Sequence, residues 1–168
     1  VLESFSRGLR KKMMHPFLQA LSSHPGEFLL ERRARIDGLI ALCHPWESGG
    51  DDCPRWDHWC PDGWQVDRWF EVKGRLVASV AHSTAGSPIA NPAFRVASCG
   101  FNALVVFNAL ELASVTGDAS LTQRARSLAE TLMDQWDDSL GTWVDVGDSS
   151  LDSGRIRTLD ALLPVLVA

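Results

Sequence analysis

His44-Pro45-Trp46-Glu47-Ser48-Gly49-Gly50-Asp51-Asp52-Cys53-Pro54-Arg55-Trp56-Asp57 is the most informative stretch of the chain. It holds four carboxylates, Glu47, Asp51, Asp52 and Asp57, in a loop shaped by Gly49, Gly50 and Pro54. Carboxylates packed close together cannot all ionise cheaply, so at least one of them keeps its proton to higher pH. A neighbouring indole adds desolvation in the same direction. An acid held protonated in this way is what a glycosidase needs to donate to a leaving oxygen. The remaining carboxylates and Arg55 suit sugar hydroxyls. Two other readings stay open on the residues alone. Acidic loop residues often only cap helices or bond to turns. Asp51, Asp52 and Asp57 are also hard oxygen ligands for calcium, although the EF-hand spacing is absent.

The surroundings of the loop favour a site. The chain has seven Trp and no Tyr, and Trp46, Trp56, Trp59, Trp64 and Trp69 crowd into one short segment. A core needs large apolar residues spread along the chain. A carbohydrate site needs flat indole faces gathered together, because sugar C–H faces stack on them. From Cys43 to about Gly63 the prolines and glycines forbid a continuous helix. Irregular segments of that length are functional or disordered, and disordered ones are poor in aromatics.

Helical patterns flank this segment. Ser4 to about Ser22 carries Phe5, Leu9, Met13, Phe17 and Leu21 at steps of four, with Pro16 as a kink. His24-Pro25-Gly26 breaks the chain. Glu27 to Leu42 reads as a second helix, with Leu29, Arg33, Ile36 and Ile40 in line. Arg7 to Lys12 and Arg32 to Arg35 read as solvated helix faces. Trp64 to Val80 reads as a further helix, and Ala81 to Pro92 as a connection. Phe101 to Thr116 reads as a helix that turns Phe101, Leu104, Val105, Leu112 and Val115 inward. Gly117 ends it and Asp118 caps the next. That next helix runs to Trp136 on a stripe of Leu121, Ala125, Leu128, Leu132 and Trp136. A turn region around Gly141 follows, with a short extended piece at Thr142 to Val146. Arg155 to Val167 begins another helix. The expected class is all-α, built of helical hairpins with long, chemically rich loops, which suggests an α/α toroid more than a bundle.

The quoted stretch resembles the HPWESGxDNSPxWD signature of bacterial family 63 glycoside hydrolases and echoes the ESGWDxSxRW signature of trehalases. Within family 63 it is most similar to the hydrolases of mannosylglycerate and glucosylglycerate. Phe94-Arg95-Val96 with Phe101-Asn102-Ala103-Leu104, Trp136-Asp137-Asp138, Gly141-Thr142-Trp143-Val144-Asp145 and Leu162-Leu163-Pro164 resemble later elements of the same family. The resemblance implies a partial (α/α)6 toroid over residues 1–168, as a single incomplete catalytic domain. It implies hydrolysis of an α-glycosidic bond with inversion, and Asp51 as the general acid. Trp46, Glu47, Arg55, Trp56 and Asp57 are then expected to line the sugar subsite, and His44 to touch substrate or the loop backbone. Asp52 stands where the pattern prefers Asn, and Cys53 where it prefers Ser. Ser98 and Cys99 stand where an acidic residue is expected.

Inversion needs a second carboxylate, roughly 6.5–9.5 Å from the first, to activate water. The resemblance places it near the far end of the catalytic domain, beyond residue 168. The 168-residue chain by itself is therefore expected not to turn over glycosides. A non-catalytic helical module that binds carbohydrate or a protein partner is the alternative.

Composition bounds the rest. An apolar fraction of 45% and a charged fraction of 22% suit an ordinary globular domain. A net charge of −5 offers no basic footprint for nucleic acid. No run of about 18 apolar residues predicts a membrane span. With no export signal, a cytoplasmic setting with reduced Cys43, Cys53, Cys60 and Cys99 is expected. Their spacing, with His44 and His58, matches no strong zinc pattern. No metal and no cofactor is indicated. A small saccharide or glycoside is the expected partner, and the oligomeric state is left open.

Overall fold

The computed structural model describes Leu30, residues 33–147 and residues 155–168. The expected first helix, the break at His24-Pro25-Gly26 and the start of the second helix at Glu27 lie outside the described residues. Residues 33–168 form one compact unit.

The unit begins with a hairpin. Strands β1 (Arg35–Ile36) and β2 (Leu39–Ile40) pair antiparallel, with Arg35 opposite Ile40 and Ile36 opposite Leu39. The turn residues Asp37 and Gly38 have φ of 47° and 85°. Positive φ at both central positions is the type I′ geometry that Asp-Gly favours. This corrects the helix that the apolar spacing predicts up to Leu42. A side chain at position 38 would also meet Thr131 Cγ2 at 3.0 Å. The outward backbone groups of Ile40 are met by one buried side chain. Asn102 Oδ1 accepts from Ile40 N at 2.8 Å, and Asn102 Nδ2 donates to Ile40 O at 3.0 Å.

The loop that follows contains two 3-10 turns, Pro45–Ser48 and Pro54–Trp59. Helix α1 (Val66–Ala78) then buries Trp69, Val72, Lys73 and Leu76 along one stripe and exposes Asp67, Arg68, Glu71 and Arg75. The stretch expected as a plain connection contains a hairpin of β3 (Ala81–His82) and β4 (Pro88–Ala90). β5 (Val96–Ala97) leads into α2 (Cys99–Thr116), which Ser98 caps through its hydroxyl. Gly117 ends α2, and the Asp118 carboxylate accepts from Leu121 N at 2.9 Å to start α3 (Ala119–Met133). β6 (Trp136–Asp137) pairs with β7 (Thr142–Trp143), and β8 (Val146–Gly147) returns to pair with β5.

Four two-stranded antiparallel pairs among the described residues make the class mixed α and β. The expected all-α class and partial (α/α)6 toroid of helical hairpins are thereby corrected. Only β1–β2, with its Asp37-Gly38 turn, lies where helix periodicity predicts continuous helix; the other pairs fall in stretches expected as a connection or a turn. The C-terminal helix is corrected as well. Residues 155–158 have no regular structure, and Asp160–Leu166 is a 3-10 turn containing Pro164.

The faces of two helices also differ from expectation. α2 buries Asn102, Ala103, Val106, Ala109 and Ala113, while Leu104 and Val115 are exposed. A helix apolar all round gives no phase from which to read its inner face. By length and composition α2 is apolar enough to cross a membrane, unlike the span-free reading of the sequence. Its inner face packs on α3 and the C-terminal turn. α3 buries Leu121, Ala125, Leu128 and Leu132 as the stripe predicts, whereas Trp136 beyond it is exposed.

A second core lies under the loop. Leu42, Trp56, Cys60, Trp69, Val72, Leu76, Phe94 and Val96 pack together. Each large apolar side chain buried there contributes about 1.5–3 kcal/mol. Asn102→Ala leaves both Ile40 backbone groups without their buried partner. It is expected to lower stability by about 2–3 kcal/mol, read by urea unfolding, whereas the exposed Asn108→Ala changes it by well under 1 kcal/mol.

Candidate active site

The loop is built from its own backbone outward. His44 precedes the first 3-10 turn, and its Nδ1 accepts from Trp46 N at 3.2 Å. The same ring reaches the Lys73 carbonyl oxygen through Nε2 at 3.1 Å. An acceptor at Nδ1 leaves Nε2 as the donor, so the ring is the neutral Nε2–H tautomer. Burial lowers the His44 pKa below its ordinary value of 6.5. Ser48 Oγ donates to Pro45 O at 2.6 Å and accepts from Gly50 N at 3.1 Å. Two indoles then hold the next two carbonyls. Trp56 Nε1 donates to Gly50 O at 2.7 Å, and Trp69 Nε1 donates to Asp51 O at 2.8 Å. Buried indole N–H groups need such acceptors.

Three buried cations meet the acidic side chains. Arg33 forms a two-pronged pair with Glu47, at 2.8 Å and 2.6 Å. Glu47 Oε2 also accepts from Cys43 N at 2.6 Å. Burial pushes the neighbouring Cys43 thiol up to about 11. Arg55, 3% exposed, turns inward. It donates to Asp145 at 3.1 Å and to Asp160 at 2.7 Å. Burial disfavours the Arg55 charge, but Asp145 and Asp160 outweigh it and raise its pKa. Asp145 also accepts from Cys99 N at 2.9 Å. Burial raises the Asp145 pKa despite Arg55. Gly100 makes the Asp160 contact possible, since a Cβ there would lie 2.8 Å from Asp160 O. The third cation, Lys73, is 2% exposed. Its ammonium lies 3.0 Å from both Asp51 Oδ2 and Asp52 Oδ1.

The structure therefore sorts the sequence-predicted residues. Asp51 is 36% exposed at its side chain and borders solvent. Trp46 is 55% exposed and leans on His44, with ring centroids 4.2 Å apart. Glu47 is partly buried, and Asp57 is exposed. Trp56 has no exposed surface, and it and Trp69 belong to the core. The Trp-rich segment is thus divided between exposed indoles, Trp46 and Trp64, and core. Arg55 and Trp56 face inward and support the loop from below. Arg33 and Lys73 were not singled out by sequence reasoning, which places Arg33 on a solvated face. The signal for Lys73 is its position: a lone lysine between Val72 and Leu76 on the apolar stripe of α1.

No group of three or more His, Cys, Asp or Glu side chains fit to hold a metal occurs among the described residues. The four cysteines are free thiols. A cavity lined by Arg55, Trp143, Asp145, Arg155 and Thr158 receives no other residue of the loop. The chemistry on offer is hydrogen bonding by carboxylates beside an exposed indole, with Asp51, Asp52 and Asp57 open to solvent.

The family model of the mannosylglycerate hydrolase MGH1-like glycoside hydrolase domain matches residues 2–168. The chain belongs to this family. No curated protein and no solved structure matched it. The unit is a glycoside hydrolase domain, and its substrate is a saccharide.

Within this glycoside hydrolase domain, His44 and His58 are held neutral by burial, below 6.5. The unfolded chain takes protons at these positions before the native one does. Their contribution to stability is full above pH 6.5 and is lost as pH falls below it. Urea unfolding as a function of pH is expected to show this fall. His44→Gln is expected to flatten it.

Proposed function

We propose that this glycoside hydrolase domain cleaves an α-glycosidic bond with inversion, and that Asp51 is the general acid. The proposed substrate is a small α-glycoside of the glucosylglycerate or mannosylglycerate kind. One observation carries the reading. Asp51 combines a carboxyl that borders solvent with a backbone clamped from behind by Trp69, while Trp56 clamps its neighbour Gly50. Its Oδ1 has no hydrogen-bond partner among the described residues, so that oxygen is free to meet a glycosidic oxygen.

The other residues follow from their placement. The exposed Trp46 offers an indole face to the sugar C–H groups. Glu47, oriented by Arg33, presents carboxylate lone pairs to sugar hydroxyls. Asp57 lies at the exposed rim of the second 3-10 turn. His44 acts by setting the Trp46 ring, and Arg55 and Trp56 act by holding the loop rather than by touching sugar. The water-activating base is assigned to none of Glu47, Asp145 and Asp160, each of which is committed to a buried arginine.

In an enzyme that pairs this domain with a water-activating base, Asp51→Asn is expected to slow hydrolysis of an α-glucosylglycerate by roughly 10²–10⁴-fold. The same variant is expected to keep most of its rate on an α-glycosyl fluoride, because fluoride leaves without a proton. Proton NMR of the first product should show the β-anomer. An unchanged rate in Asp51→Asn overturns the acid assignment, and an initial α-anomer overturns inversion.

A further inference from the structure

Asp52 stands where the family pattern prefers Asn. Its side chain is 66% exposed, yet the two residues that donate to it, Trp69 and Lys73, are buried. Both donors arrive at one oxygen. Asp52 Oδ1 accepts from Trp69 Nε1 at 2.9 Å and from Lys73 Nζ at 3.0 Å. Asp52 Oδ2 has no hydrogen-bond partner among the described residues and is left to water. The Lys73 hydrogen bond holds Asp52 below the usual carboxylate range, so Oδ1 is an acceptor at neutral pH.

The same two donors hold Asp51. Trp69 Nε1 donates to the Asp51 carbonyl at 2.8 Å, and Lys73 Nζ donates to Asp51 Oδ2 at 3.0 Å. These hydrogen bonds close a ring. It runs from the Asp51 carbonyl through Trp69 Nε1, Asp52 Oδ1 and Lys73 Nζ to the Asp51 carboxylate. Trp69 fixes the peptide of residue 51, Lys73 fixes its side chain, and Asp52 Oδ1 joins the two donors. Trp69 and Lys73 lie four residues apart on the buried stripe of α1, so the helix sets the distance between them. An oxygen that meets both therefore registers the acid on α1. The ring asks for an acceptor at position 52 and not for a charge, because Asp51 already balances the Lys73 ammonium. An amide oxygen fills the same place, with its NH₂ in the water that Oδ2 now meets.

We infer that Asp52 is a positioning residue, which acts through Oδ1 to hold the Asp51 carboxyl in one orientation above α1. Its meaning for catalysis rests on the reading of Asp51 as the acid. The Asp that replaces Asn in the family pattern keeps the oxygen that the position supplies.

The test is NMR of the full chain at neutral pH, reading the three-bond couplings that report Asp51 χ1 and the indole N–H resonance of Trp69. In the wild type, the couplings are expected to be those of a single Asp51 rotamer. Asp52→Asn should keep them and should leave the Trp69 N–H hydrogen-bonded to both acceptors. Asp52→Ala removes an exposed side chain, which the fold tolerates. It should average the Asp51 couplings over several rotamers and shift the Trp69 N–H upfield, towards the position of an indole with one acceptor. A wild-type Asp51 already averaged, couplings unchanged in Asp52→Ala, or couplings averaged as much in Asp52→Asn as in Asp52→Ala each overturn the inference. Failure of the acid assignment shows itself separately, in an unchanged hydrolysis rate of Asp51→Asn.

Discussion

A buried cation must be met by carboxylates or it destabilises the fold that buries it. The loop from His44 to Asp57 is organised by that constraint. Arg33 meets Glu47, Arg55 meets Asp145 and Asp160, and Lys73 meets Asp51 and Asp52. The Arg55 pairs join residues 90 and 105 positions apart in the chain, so they tie the loop to the β7–β8 region and to the C-terminal turn. A pair of this kind adds little over a well-packed apolar isostere. Losing one partner costs several kcal/mol, because the other charge is left buried. The arrangement therefore specifies one loop geometry more than it adds stability.

That geometry divides the loop into a fixed underside and an accessible upper side. Trp56 and Trp69 lie in the core and spend their N–H groups on the carbonyls of Gly50 and Asp51. Trp46 and Asp51 remain open to solvent. An acid that acts on a sugar has to be held still while it faces the leaving oxygen. Asp51, the proposed acid, is held by buried indoles and cations rather than by a long regular element.

The loop stands out in the sequence because its acids, indoles and glycines are contiguous. The family followed from the same residues. Two of the three cations were not legible, since Lys73 is a lone lysine distant from the motif and Arg33 belongs to a basic cluster that reads as a solvated helix face. The Asp37-Gly38 turn was there to be read, but apolar residues at Ile36 and Ile40 also fit a helix, and two-residue strands leave no alternation to count. The expectation that crowding raises a carboxyl pKa is reversed at Asp52, whose pKa the Lys73 hydrogen bond lowers. Lys73 becomes its neighbour only once α1 packs beneath the loop.

The proposed chemistry requires the side chain at position 51 to face the bond to be broken. The most direct measurement is a crystal structure of Asp51→Asn with an intact α-glycoside bound. The glycosidic oxygen is expected within hydrogen-bond distance of the residue-51 amide, with the sugar ring against Trp46. A glycoside bound with its scissile oxygen turned away from residue 51, or seated elsewhere on the domain, would contradict it.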